Sequence, residues 1–185
     1  MTVTKTPLEG VLVIEPKVFG DARGSFVETY RADLYRELGV PYSFVQDNLS
    51  TSIRGVLRGL HLQHPQGQAK LVYAVQGEVF DVCVDVRVGS PTFGAWFGTT
   101  LSPETGRQLL IPPGFAHGFC VLSEHAAFAY KCSDVYSPGT QVTVAWDDPA
   151  IGIDWPVAEP ILSDKDLAGL PLSELQARLP RFEAE

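Results

Sequence analysis

Two arginines and two histidines fall within residues 54–64, in a stretch that is otherwise apolar: Arg54, Arg58, His61 and His64. A charge taken into an apolar strand is costly unless it finds a partner there. Imidazole titrates near neutral pH, so it is the side chain best suited to take a proton and return it under mild conditions. Strict strand alternation places Leu57, Gly59, His61 and Gln63 on one face and Arg58 on the other. Arg58 and His61 can share a pocket only if the ladder is rephased, and Gly59 is the expected bulge site. On this segment alone, His61 reads equally well as a hydrogen-bonded core histidine.

Further candidates lie along the chain. A turn of Pro112, Pro113 and Gly114 precedes a short strand that carries His117. That pattern is one of the two signatures of the cupin barrel, with Val121 where the signature ends in asparagine. By itself it also suits a plain tight turn with a half-buried histidine. Lys70 opens the run KLVYAV, where an edge lysine with its head in solvent is the simpler reading. Tyr130 alternates with Phe128 and Cys132 on one face and reads equally as core. Residues 162–166, with Lys165 and Asp166, form a charged turn. Residues 21–28, with Arg23, Phe26 and Glu28, read as a hairpin with surface charges.

A metal centre needs converging donors. Metallo-cupins place two histidines one residue apart on one strand face, with a carboxylate and a distant third histidine. Here His61 and His64 are three positions apart, which puts them on opposite faces. Only His61 and His117 are expected to converge, and two imidazoles fall short of a usual transition-metal site. No metal is expected.

The elements that must position these residues are mostly strands. Turn residues punctuate the chain at short intervals, between runs rich in Val, Phe, Tyr and Thr. In residues 79–87, Phe80, Val82, Val84 and Val86 alternate with Asp81, Cys83, Asp85 and Arg87, a period of two. Strand runs are also read at residues 42–48, 96–101, 107–113, 118–122 and 142–146. Helix is sparse. Residues 31–38 form a short amphipathic candidate ended by Gly39. Ser173 and Gln176 predict a capping-box start for a second helix, stopped by Pro180.

At 185 residues, with 45% hydrophobic and 19% charged, the chain suits one all-β domain over residues 1–185 with short helices near its C-terminus. A net charge of −8 argues against a general nucleic-acid binder. It leaves room for a small anionic ligand held by a few arginines. No apolar stretch approaches the ~20 residues that span a bilayer. The N-terminal residues lack a secretory pattern. Cys83, Cys120 and Cys132 sit in apolar runs and read as reduced thiols of a cytoplasmic protein.

Taken together, the blocks FGDARGSFVETY, SFVQDN, VLRGLHLQ, KLVYAVQGEVFDVCVDVR, SPTFGAWFG, IPPGFAHGFCVLSE, YKCSDVYSP and WDDPAIGIDWPVAEPILSDKD resemble the dTDP-4-dehydrorhamnose 3,5-epimerases nearly end to end. The resemblance implies a cupin-type jelly-roll barrel that epimerises dTDP-4-keto-6-deoxy-D-glucose at C3 and C5, as a homodimer without a cofactor. By this resemblance His61 is the base and Asp166 its carboxylate partner, with Asp164 as the fallback. Tyr130 is the acid on the opposite face of the sugar, and Lys70 stabilises the enolate. Arg58, Gln46, Asn48 and His117 line the nucleotide-sugar site, and Lys165 is placed with them. Arg23, Phe26 and Glu28 belong to the same region and can come from a second subunit. The sequence departs from the family at Leu62, where an aromatic residue is usual, and at Tyr73, where a basic one is common. Either could alter which sugar or carbon is preferred, so epimerisation at one centre stays open. So does a metal-dependent cupin enzyme or a non-enzymatic sugar-binding cupin.

The chemistry fits these residue types. A C4 ketone acidifies the C–H bonds at C3 and C5 alike, because either carbanion is an enolate delocalised onto the same oxygen. One base beside that carbonyl can serve both. A carboxylate on the far ring nitrogen fixes the tautomer and stabilises the imidazolium. Inversion then needs a proton from the other face, which Tyr130 can give if a nearby positive charge lowers its pKa. A diphosphate calls for arginine, and a thymine ring for an aromatic partner. Tyr136 is the candidate for the latter.

Overall fold

The computed structural model describes residues 1–183. The last two residues of the expected 1–185 unit lie outside the described residues. The first strands are β1 (Thr2–Lys5), β2 (Leu12–Glu15), β3 (Val18–Asp21), β4 (Gly24–Val27), β5 (Gln46–Ile53), β6 (Leu57–Gln63) and β7 (Lys70–Gln76). They are followed by β8 (Val79–Asp85), β9 (Trp96–Leu101), β10 (Gln108–Ile111), β11 (Phe115–Val121), β12 (His125–Cys132) and β13 (Gln141–Thr143). Six strands form one antiparallel sheet in the order β1-β2-β10-β7-β12-β5. Five form a second, β13-β6-β11-β8-β9, and β3 pairs with β4 as a separate hairpin. This is the all-β jelly-roll barrel of cupin type that the sequence predicts.

The two sheets face each other across one buried cluster. Val72, Ala74, Leu109, Ile111 and Phe128 of the larger sheet meet Val79, Cys83, Leu101, Phe115 and Phe119 of the smaller. Both outer faces are covered as well. Tyr35 of helix α1 (Ala32–Glu37) and Val40 pack on Ile14, Leu71 and Leu110, outside the larger sheet. Ile151, Leu172, Leu175 and Leu179 of the C-terminal segment pack on Leu60, Val82, Val84 and Val86, outside the smaller one. The alternation read in residues 79–87 is therefore real, but both of its faces are buried. The continuous valine face points outward under the C-terminal segment, and the Asp81 face points in. Burying a residue of this size against water contributes about 1.5–3 kcal/mol, so the C-terminal segment is part of the fold.

Several elements differ from the sequence reading, each for a physical reason. The strand expected from residue 42 starts at Gln46 and runs on to Ile53. Its inward residues Gln46, Asn48 and Ser50 are polar because they face a cavity, and the Ser52 hydroxyl accepts from Arg58, so no apolar alternation marks it. Strand β1 carries no apolar signature because it is an exposed edge. The charged turn at residues 162–166 contains a short helix, α2 (Asp164–Leu167), whose N-cap is Ser163. The capping box at Ser173 does not form. Helix α3 (Leu172–Leu175) starts after Pro171 without a side-chain cap from its own segment. The Leu172 N–H is satisfied instead by the Asp148 carboxylate at 2.7 Å, a partner distant in sequence. Helix α1 ends at Gly39, in a left-handed conformation (φ +89°), as expected.

Candidate active site

The crossing of β6 and β11 builds the site. His117 lies opposite His61 and Phe119 opposite Arg58, so β6 carries one extra residue between the two pairs. The extra residue falls at Gly59–Leu60, where Gly59 has φ +138°. A Cβ on Gly59 would stand 2.5 Å from the Cα of Gly118. Glycine on both strands thus allows the close approach, and the bulge rephases the strand. Arg58 and His61 consequently open onto one cavity of about 390 Å³.

His61 is half-buried, and its Nε2 lies 2.6 Å from Asp166 Oδ1. The other carboxylate oxygen of Asp166 accepts from the Ser163 hydroxyl at 2.7 Å. Ser163 also accepts from the Asp166 N–H, so the N-cap of α2 and the orientation of the carboxylate are one device. An ionised carboxylate only accepts, so the imidazole donates Nε2–H to it and keeps the Nδ1 lone pair free. Burial pulls the His61 pKa below its ordinary value, against the hydrogen bond and charge of Asp166, which work the other way. For Asp166, burial raises the pKa, but the hydrogen bonds from His61 and Ser163 outweigh it and hold the carboxyl below its usual range. The pair therefore rests as neutral imidazole beside carboxylate. The carboxylate at His61 is that of Asp166, not Asp164.

The larger sheet supplies the opposite wall. Lys70 of β7 and Tyr130 of β12 both line the cavity, with Gln46, Asn48 and Ser50 of β5 beside them. Strand β7 lies between β10 and β12, so Lys70 is not an edge residue. Its ammonium donates to the His61 carbonyl at 3.4 Å. Burial lowers the Lys70 pKa, opposed by Cys132 and Asp81. Tyr130 corrects one expectation. Burial raises its pKa, and the charge of Arg58 only partly offsets this. The phenol is thus held in its protonated, donating form rather than activated toward the phenolate.

His117 forms a second imidazole–carboxylate pair, with Nε2 2.8 Å from Asp81 Oδ2. Asp81 is fully buried, and its Oδ1 has no hydrogen-bond partner among the described residues. Burial raises its pKa against the pull of His117 and Lys70. Asp81, Ser163 and Gln141 are site residues that the sequence reading missed. Ser163 carried a usable signal, as a serine two residues before Lys165 and three before Asp166 at a helix start. Asp81 gave only the mild oddity of an acid in a valine-rich strand.

The remaining candidates divide. Arg58, Gln46, Asn48, His117, Tyr136 and Lys165 all line the cavity. Arg23, Phe26 and Glu28 do not. Arg23 sits at the tip of the β3–β4 hairpin with its side chain 90% exposed, paired to Asp21 at 2.6 Å. Phe26 is 69% exposed on the same hairpin. Glu28 follows the hairpin and lies 3.8 Å from Arg31. Leu62 lines the cavity, so that departure bears on the pocket. Tyr73 does not line it, because strand alternation turns it away from the face of Lys70 and Val72. Among the described residues no group of three or more His, Cys, Asp or Glu side chains converges to hold a metal ion. No helix among them is long and apolar enough to cross a membrane.

A cupin barrel whose cavity is lined by an imidazole–carboxylate pair, a lysine and a tyrosine is the architecture of a proton-transfer enzyme. The family model described as dTDP-4-dehydrorhamnose 3,5-epimerase matches residues 5–174. The chain belongs to that family of carbohydrate epimerases, which are isomerases. A dTDP-4-dehydrorhamnose 3,5-epimerase of Shigella flexneri is 55% identical over 171 residues, covering 91% of this chain and 94% of the relative. A solved structure of the dTDP-6-deoxy-D-glucose-3,5-epimerase of Legionella pneumophila Philadelphia 1, in complex with dTDP-4-keto-L-rhamnose, is 51% identical. It superposes with a TM-score of 0.96 and covers 99% of each chain. A dTDP-4-dehydrorhamnose 3-epimerase of Streptomyces niveus is 46% identical over 90% of this chain and 82% of its own length.

Proposed function

We propose that the protein epimerises dTDP-4-keto-6-deoxy-D-glucose at C3 and C5 to dTDP-4-keto-L-rhamnose, in the biosynthesis of dTDP-L-rhamnose or a related deoxysugar. The observation that carries this reading is the His61–Asp166 pair at 2.6 Å on one wall, facing Lys70 and Tyr130 on the other. His61 Nδ1 removes the proton from the carbon next to the ketone. The C–H electron pair becomes the enolate double bond, and the C4 oxygen takes the negative charge. Asp166 stabilises the resulting imidazolium. Lys70 stabilises the enolate oxygen, a type of contact worth about 3–4 kcal/mol where one donor has been removed elsewhere. Tyr130 donates its phenolic proton to the opposite face, which inverts the centre. Solvent exchange then resets both residues.

Arg58 meets the diphosphate, Tyr136 stacks on thymine with Lys165 beside it, and Gln46, Asn48 and His117 complete the sugar-nucleotide pocket. The protein works as one domain, in the cytoplasm, where its three buried free thiols stay reduced. It works as a homodimer in which Arg23, Phe26 and Glu28 enter the cavity of the partner. What supports this is an exposed hairpin that pairs with neither main sheet. A second reading, epimerisation at C3 alone, is favoured by the kinship with the Streptomyces niveus 3-epimerase. One experiment separates the readings: NMR of dTDP-4-keto-6-deoxy-D-glucose with the enzyme in deuterated water. Deuterium at both C3 and C5 with inverted product supports the double epimerase, and deuterium at C3 alone supports the other reading. Exchange at neither carbon removes both.

A further inference from the structure

The chain between β12 and β13 is neither strand nor helix at residues 133–137, yet its backbone is held at four successive positions by glutamine side chains. Gln68 donates to the Asp134 carbonyl at 2.7 Å. Gln63 donates to the Val135 carbonyl at 3.4 Å and accepts from the Ser137 N–H at 2.8 Å. Gln46 accepts from the Tyr136 N–H at 2.8 Å. The Tyr136 side chain, 49% exposed, is tied down too. Its hydroxyl donates to Gln141 Oε1 at 2.8 Å, and Lys165 Nζ donates to the same oxygen at 2.6 Å. Gln141 lies directly opposite Gln63 in the β6–β13 ladder, so the two amides share one face.

A half-exposed tyrosine adds little to stability, and ordering it costs side-chain entropy. Such restraint makes sense where a ring must present a fixed face to a ligand, because the ordering is then complete before binding. Gln141 Oε1 is the hydrogen-bond acceptor that Tyr136 and Lys165 share, and it holds the Lys165 Nζ 5.9 Å from the centroid of the Tyr136 ring. Lys165 lies on α2, the helix that carries Asp166. We propose that Gln141 is a positioning residue for the nucleotide end of the substrate: it sets the spacing between the Tyr136 wall and Lys165, and so governs affinity for the dTDP moiety rather than the proton transfers. The inference rests on the reading of the substrate as a dTDP-sugar.

The test uses the full-length protein, with dTDP titrated by calorimetry and steady-state turnover measured in parallel. Gln141→Leu removes the shared acceptor and should weaken dTDP about tenfold, with a matching rise in KM and a much smaller change in kcat. Gln141→Glu keeps an acceptor for both donors and should restore affinity to within about twofold of the parent. Tyr136→Phe breaks only one of the two links and should fall between them. If the parent itself fails to bind dTDP, the substrate reading is lost and the inference with it. If the parent binds but Gln141→Leu binds equally well, only the inference is overturned. It is also overturned if Leu and Glu lower kcat and melting temperature together, which is the mark of a structural role.

Discussion

In the proposed reaction, residue identity decides the direction of each proton transfer. Burial lowers the His61 pKa, so the imidazole stays neutral and basic to a pH below its ordinary 6.5. The acid limb of kcat/KM should therefore lie below pH 6.5. Asp166 holds that pKa up, so Asp166→Asn should move the limb lower still while reducing the rate. A limb above 6.5 in the parent enzyme would contradict the assignment. His61→Ala should abolish deuterium incorporation at C3 and C5 together, since one base flanks one carbonyl; continued fast exchange at either carbon would point to His117. Tyr130→Phe keeps the ring and removes the donor. His61 should still form the enolate and return a solvent proton to the original face, so the variant should wash deuterium into unreacted substrate with little inversion. If its inversion rate stays within about tenfold of the parent, roughly 1.4 kcal/mol, Tyr130 is not the acid.

At the scale of elements, the bulge in β6 is what lets Arg58 and His61 share a cavity. Gly59→Ala forces a Cβ against Gly118, in a backbone conformation that side chains avoid. The variant should lose about 1–3 kcal/mol in chemical denaturation. It should also lose activity in the fraction that stays folded, because the strand face would shift. Unchanged stability would mean that the two strands can part without cost. The need for a bulge is legible from glycine between Arg58 and His61, since their spacing places them on opposite faces. Helix α2 was less legible. Four residues are too few for periodicity to show, and the Ser163 cap shows its importance only once Asp166 is seen against His61.

The whole molecule places His61 and Tyr130 on separate sheets, so under the proposed reaction a substrate between the sheets meets one from each side. Hairpin β3–β4 bears on the proposed homodimer. If Arg23 serves the cavity of a partner chain, His61→Ala and Arg23→Ala should each be inactive alone. Hybrid dimers formed by refolding an equimolar mixture should then recover about a quarter of the parental activity, because half the dimers are hybrids and each has one intact site. Recovery no greater than the sum of the separate variants would mean that each site is built within one chain.

The sequence by itself determined the fold class, the strand-rich order of elements and most of the residues that line the cavity. Alternation and turn chemistry are local properties, whereas His61, Lys70, Tyr130 and Asp166 are singled out as a set only by the string of matching blocks. Tertiary structure alone decided how these residues meet. Asp166 lies 105 positions from His61, and no local rule favours it over Asp164. The buried Asp81–His117 pair and the sharing of Gln141 between Tyr136 and Lys165 likewise depend on which strands become neighbours. Even the Tyr130 pKa turned on packing: the folded sheets bring Arg58 near it, but the depth of burial, which only those sheets set, outweighs that charge.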